Sequence, residues 1–277
     1  MSTSFREDVK DFVGCDVIIK RFEIYRLNGI DPELREFVPM ALIFKGPPGT
    51  GKTMMAHKIG KLFCDIGLVS SSTVVECSIS NITSKSLSSS VAKIRSLMDN
   101  AIGKVLLIHE AHRLAEEEFA EDAVDQFFDC IAKAQSANKT LVILAGYETG
   151  MNMLARVYPD LAVQFKTEIV FSHLRPEHCL ILLQRSIANF GIQIGGLEET
   201  SLKGKIRSTH LRRMFADLAE MPSWANGRDI KKLAKSVAQR VFIVHDMDII
   251  GTENLIIPGK EVEEVVYEML KETRKNI

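Results

Sequence analysis

The sequence predicts an α/β fold, a parallel sheet with flanking helices, followed by a smaller all-helical domain. Strand-length apolar runs alternate with longer stretches of helical period through residue 171, as parallel strands covered by helices require. The alternation then stops, and only helical periods follow. At 46% hydrophobic and 26% charged, the 277 residues can bury a full core, so the composition gives no case for disorder.

The strand runs are Met40 to Lys45, Thr73 to Cys77, Lys104 to Ile108, Thr140 to Ala145 and Thr167 to Phe171, each bounded by Gly, Ser or charged residues. Between them, residues 119–134 place Ala120, Ala123, Val124, Phe127, Ile131 and Ala134 on one helical stripe. Pro176 opens a helix to about Asn189, and a Gly-rich stretch follows at 191–196. Ser208 and Thr209 are expected to cap a helix carrying Leu211, Phe215 and Leu218. A longer helix from about Arg228 should bury Ile230, Leu233, Ala234, Val237, Val241 and Val244. Val262, Val265, Val266 and Met269 mark one more helix. The division is an α/β domain over 1–174 and a helical domain over 175–277.

Charge and cysteines narrow the partners. Thirty-five basic and thirty-six acidic residues leave a formal net charge of -1, which removes the whole-molecule argument for nucleic acid or an anionic membrane. Five cysteines (15, 64, 77, 130 and 179) show no C-x-x-C and no zinc spacing, and read as buried thiols in a reducing compartment. Residues 1–8 carry acids and no apolar run, unlike a signal peptide, and the longest apolar stretches fall far short of a membrane span. The expectation is an intracellular protein, cytoplasmic or nuclear.

Gly46, Pro47, Pro48, Gly49, Thr50, Gly51, Lys52 and Thr53 in succession fit G-x-x-x-x-G-K-[ST], just after a strand and just before a helix. Glycines permit the backbone angles that turn successive N–H groups onto phosphates. The helix starting near Lys52 adds its positive end. Lys52 is placed to reach the outer phosphates, and the Thr53 hydroxyl to ligate magnesium. A nucleotide with Mg2+ is therefore the expected ligand.

With that motif in place, the chain resembles the AAA+ ATPases, within them the CbbX-like (red-type Rubisco-activase-like) branch, and looks most like the modules found in tandem in large fungal AAA proteins. The resemblance rests on Phe44 to Thr53, Gly103 to Leu114, Leu141 to Tyr147 and Pro222 to Asp229, in family order over about residues 10–245. It implies a P-loop NTPase domain with a helical lid, ATP or ADP in the cleft, and a ring, often of six like or unlike subunits, that remodels a protein partner. It also implies that Arg228 senses the γ-phosphate, and that Val13 and Gly14, in Phe12-Val-Gly14, flank the adenine. Trp224 is expected to pack the lid.

The departures from the family pattern are informative. Four apolar residues should end in Asp-Glu. Here Val105 to Ile108 is followed by His109 and Glu110. Glu110 stands where the family polarises the attacking water. His109 replaces the acid that orders magnesium, a hard ion preferring oxygen. Gln164 stands where the family carries an arginine finger, a group that can contribute about 10³–10⁵ in rate. The nearby cations are Arg156 and Lys166. The aromatic that grips a threaded polypeptide falls on Ser86, within a serine-rich run, with Leu87 beside it. Metal ordering, stabilisation of a neighbour's phosphate and substrate grip are altered together, so weak hydrolysis is expected. The alternatives are a fully active protein-remodelling motor, a regulatory subunit that does not hydrolyse, or a P-loop kinase, the last disfavoured by the lid motif.

Overall fold

The computed structural model describes residues 5–82, 87–115, 121–136, 140–197, 200–244 and 255–275. The chain divides into two units, one of residues 1–47 and 51–172, the other of 48–50 and 173–277.

In the first unit, short α1 (Phe5–Asp8) and α2 (Asp16–Ile30) precede strand β1 (Ala41–Lys45) and helix α3 (Lys52–Asp65). Then come β2 (Val74–Ser78), α4 (Ile79–Ile82), α5 (Leu87–Ala101), β3 (Val105–His109), α6 (Glu121–Ser136), β4 (Leu141–Gly146), α7 (Glu148–Val157), α8 (Pro159–Gln164) and β5 (Thr167–Val170). The five strands form one parallel sheet in the order β2-β3-β4-β1-β5. Every predicted strand is present, with starts and ends displaced by at most one residue. Position in the sheet explains their composition. Central β1 and β4 are buried throughout, and β3 is buried up to His109, so they read as unbroken apolar runs. β2 and β5 lie at the edges and are only partly buried.

Side-chain alternation sorts the sheet's two faces. Leu42, Phe44, Val105, Leu107 and Ile143 pack with α2 and α3 through Phe22, Met55, Ile59 and Phe63. Ala41, Ile43, Leu106, Ile108 and Leu144 pack the other way, with α5, α6 and α7 through Ile94, Phe127, Ile131 and Met151. The predicted stripe of Val124, Phe127 and Ile131 on α6 is buried there. Ala120 lies outside the described residues.

The same alternation sends Lys45 to the second face, where it is buried at 5% exposure. Its ammonium donates to Asn152 Oδ1 on α7 at 2.7 Å and to Glu168 Oε1 on β5 at 2.6 Å. An ammonium taken out of water needs such partners.

The second unit contains α9 (Pro176–Ala188), β6 (Ile192–Gly195), α10 (Leu202–Ala219), α11 (Gly227–Val244), β7 (Leu255–Pro258) and α12 (Gly259–Lys275). The helices bury one core, including Leu183, Leu211, Phe215, Ile230, Leu233, Val237 and Val266. Trp224 packs in that core at 3% exposure, its ring centroid 6.5 Å from that of Phe215. Two expectations need correction. This unit is not all-helical, because the Gly-rich stretch supplies β6, which pairs in parallel with β7, Ile192 opposite Leu255 and Ile194 opposite Ile257. Nor do Ser208 and Thr209 cap α10. The helix starts earlier, where the Ser201 hydroxyl accepts from Gly204 N at 3.0 Å. Ser208 instead donates to Leu197 O, and Thr209 to Lys205 O, from inside the helix.

Glu168→Gln removes the charge partner of the buried Lys45 ammonium and keeps the shape. Because Glu168 is itself part-exposed, the expected loss is about 1–3 kcal/mol. It should appear in urea unfolding as a lower midpoint at unchanged slope. An unchanged midpoint would show that Asn152 and solvent suffice for Lys45.

Candidate functional site

β1 ends at Lys45, and the chain must turn into α3 within a few residues. Glycines make the turn possible: Gly46, Gly49 and Gly51 have φ of 147°, 71° and 98°. At Gly46 a Cβ would also lie 2.1 Å from the Phe171 carbonyl oxygen, so no side chain fits. Gly51 caps α3, and its carbonyl accepts from Met55 N at 2.8 Å. Lys52 and Thr53 open that helix, part-exposed. The Lys52 ammonium curls back onto the carbonyls of Gly46 and Pro47, at 2.7 Å each. A phosphate oxygen is a stronger acceptor for a cation than either carbonyl. Lys52, the Thr53 hydroxyl and the N–H groups of the first turn of α3 are the donor set that a magnesium nucleotide needs.

Phe12 reaches the loop, its ring 3.3 Å from where a Cβ on Gly51 would stand. Beside it, Val13 leads into Gly14, whose φ of 74° turns the chain before α2. The Phe12-Val-Gly segment and the phosphate loop are thus brought together.

β3 delivers the next group. Its last residue is His109, and Glu110 follows with φ of 56°, a left-handed conformation for a residue with a side chain. Such backbone costs of order 1–3 kcal/mol and clusters at functional sites. The Glu110 carboxylate accepts from the Ser78 hydroxyl at the end of β2, at 3.2 Å, and pairs with Arg113 at 3.7 Å.

His109 and Glu76 lie on the α3 face of the sheet. The His109 Nε2 meets Glu76 Oε2 at 2.8 Å, and the other carboxylate oxygen meets His57 Nε2, from α3, also at 2.8 Å. These two hydrogen bonds, His109's the larger, hold the Glu76 carboxyl below the usual carboxylate range against the opposing effect of partial burial. Neither His57 nor Glu76 is among the sequence-predicted site residues. The available signal was Glu76 itself, an acid inside a strand.

The remaining predicted residues are dispersed. Gln164 ends α8 with its Oε1 buried and unpartnered among the described residues, while Arg156 and Lys166 are exposed. Ser86 lies outside the described residues, and Leu87 begins α5. Within the second unit, Pro48, Gly49 and Thr50 accompany the start of α11. Gly227 N donates to Gly49 O at 3.0 Å, and the Asn226 amide donates to Pro48 O at 3.0 Å while accepting from Leu174 N. Asn226 is fully buried at φ of 50°, a backbone state that asparagine tolerates better than most residues. Arg228 is exposed in the first turn of α11.

A parallel sheet with a glycine loop and a lysine at a helix start defines the P-loop nucleotide-binding class. Residues 42–171 match the family described as "ATPase family associated with various cellular activities (AAA)". The chain is 27% identical over 244 residues to the ESX-1 secretion system protein EccA1 of Mycobacterium tuberculosis (strain ATCC 25618 / H37Rv), covering 81% of this chain and 41% of that protein. It is 30% identical over 165 residues to stage V sporulation protein K of Bacillus subtilis (strain 168), covering 58% of this chain and 51% of that protein. The chain thus spans about half or less of these relatives' lengths. A crystal structure of the FIGL-1 AAA domain in complex with ADP shares the fold, with TM-score 0.61 and 20% identity over 94% of this chain and 83% of that one. Among the described residues, no helix is long and apolar enough to cross a membrane.

Glycine adopts the left-handed region without the cost that a Cβ imposes. Glu110→Gly is therefore expected to leave stability unchanged or raise it by up to about 1 kcal/mol, whereas Gly in an ordinary strand position costs about 0.5–1 kcal/mol. Thermal unfolding checks this. A loss larger than that cost would argue against a left-handed backbone at Glu110.

Proposed function

We propose that this chain is an ATP-binding AAA+ module that works in a ring with other AAA+ subunits to remodel a protein partner, and that it hydrolyses ATP weakly. The observation that carries the reading is the pairing of a well-formed phosphate loop with a strand end that presents His109 and Glu110. The first half supports binding. Left-handed glycines open the loop at Gly46, Gly49 and Gly51, and the Lys52 ammonium lies within it, donating to the Gly46 and Pro47 carbonyls. The ADP named with the FIGL-1 domain is a ligand of the kind this loop suits.

In the proposed mechanism Lys52 binds the outer phosphates and Thr53 holds magnesium. Bound magnesium would neutralise charge developing on the transferred phosphoryl group. Glu110 orients the attacking water, with Ser78 and Arg113 fixing its carboxylate. Arg228 is assigned as γ-phosphate sensor from its motif, Asn226-Gly-Arg-Asp229. His109 brings no negative charge to the corner where the family pattern has an acid, and Gln164 brings no positive charge to a neighbour's nucleotide. Both lower the rate without abolishing binding.

The CbbX-like resemblance, a role beside more active modules and an intracellular location complete the reading. Secretion and sporulation proteins among the relatives agree with action on other macromolecules. The second reading, a fully active motor, is favoured by the retention of Glu110 and its supports.

Lys52→Ala should abolish ATP binding by calorimetry, since it removes the main charge facing the phosphates. Wild-type turnover should fall well below about 1 s⁻¹. Gln164→Arg should raise it only as protein concentration rises, because a finger acts across a subunit contact. Equal affinity in wild type and Lys52→Ala would remove the loop as the site. Fast wild-type turnover would favour the second reading.

A further inference from the structure

The lost acid at position 109 has a neighbour. β2 and β3 pair with Ser78 opposite His109 and Glu76 opposite Leu107, and side chains two apart share a face. Glu76 and His109 therefore lie on the same side, and α3 lowers His57 onto the pair. The result is an unbroken hydrogen-bond chain, His57 to Glu76 to His109, both links 2.8 Å. Among the described residues no three His, Cys, Asp or Glu are arranged to hold a metal ion, so this trio is not a metal cradle. None of the three is deeply buried, at 50%, 40% and 31% side-chain exposure, so the carboxylate is not there to neutralise a core charge.

We propose that Glu76 is a positioning residue of the nucleotide site, which binds the Nε2–H of His109 and so leaves that ring's Nδ1 as an acceptor at the end of β3. The inference rests on the nucleotide reading above. A neutral imidazole has one donor and one acceptor nitrogen, and the hydrogen bond at one nitrogen decides the role of the other. A carboxylate accepts only, so it selects the form protonated at Nε2. Nδ1 can then accept from water around a magnesium nucleotide, the part of an acid's work that an imidazole can do. The charged groups around the ring are Glu76 from β2, His57 from α3 through Glu76, the adjoining Glu110, and Arg113 paired with Glu110. The hydrogen bonds from the two rings, His109's the larger, hold the Glu76 carboxyl below the usual carboxylate range and favour its acceptor-only form.

The test uses full-length protein with two readouts. The first is the nitrogen NMR signature of the His109 ring, assigned with His109→Gln, in wild type, Glu76→Gln and Glu76→Asp. The second is the affinity for ATP with and without magnesium. Glu76→Gln keeps the volume and should shift the His109 ring toward protonation at Nδ1. It should also cut magnesium-ATP affinity about tenfold, the low end for losing an outer partner of a metal site, with metal-free ATP affinity unchanged. Glu76→Asp should restore part of both. In a His109→Gln background Glu76→Gln should add nothing. An unchanged ring signature, or equal losses with and without magnesium, overturns the proposal. The ring readout needs no nucleotide, so a wild type that bound no ATP would sink the function above while this arm still decided the role of Glu76.

Discussion

The site depends on the turn from β1 into α3. β1 lies between β4 and β5, buried on both faces, so its direction and end point are fixed by hydrogen bonds on two sides. From Lys45 the chain must reverse onto the sheet face that α3 covers. Gly46 meets the Phe171 carbonyl with no room for a Cβ, and Gly49 and Gly51 take left-handed angles. The backbone spends its freedom here on one shape, and that shape exposes the N–H groups and the positive end of a 14-residue helix. The buried Lys45 network ties the same strand end to β5 and α7.

Strand register does comparable work at the second acidic motif. Pairing Ser78 with His109 puts the hydroxyl of one strand beside the carboxylate of Glu110 on the other, and brings Glu76 level with the His109 ring. A shift of one residue would turn these side chains to the opposite face. The His109 imidazole thus has an acid next to it, and that acid has a second imidazole. A family pattern read along one strand sees the replacement of the acid but not the side chains around it.

The central strands were legible because burial on both faces demands unbroken apolar runs, and the phosphate loop was legible because its chemistry is local in sequence. The expectation that Trp224 packs in the second unit also holds. Sequence failed where partners are distant along the chain. β6 and β7 are short, carry Gly and Pro, and are separated by α10 and α11, so neither run marks a strand without the other. Ser201, Ser208 and Thr209 all carry hydroxyls suited to capping, and the choice of Ser201 depends on where packing starts the helix. The left-handed backbone of Glu110 and the burial of Lys45 have no sequence signature either, and the His57–Glu76–His109 chain shows in the sequence only as an acid inside a strand. Each arises from side chains that meet only when strands align and α3 docks, because hydrogen bonds and close packing act over a few ångströms while the sequence orders residues along the chain.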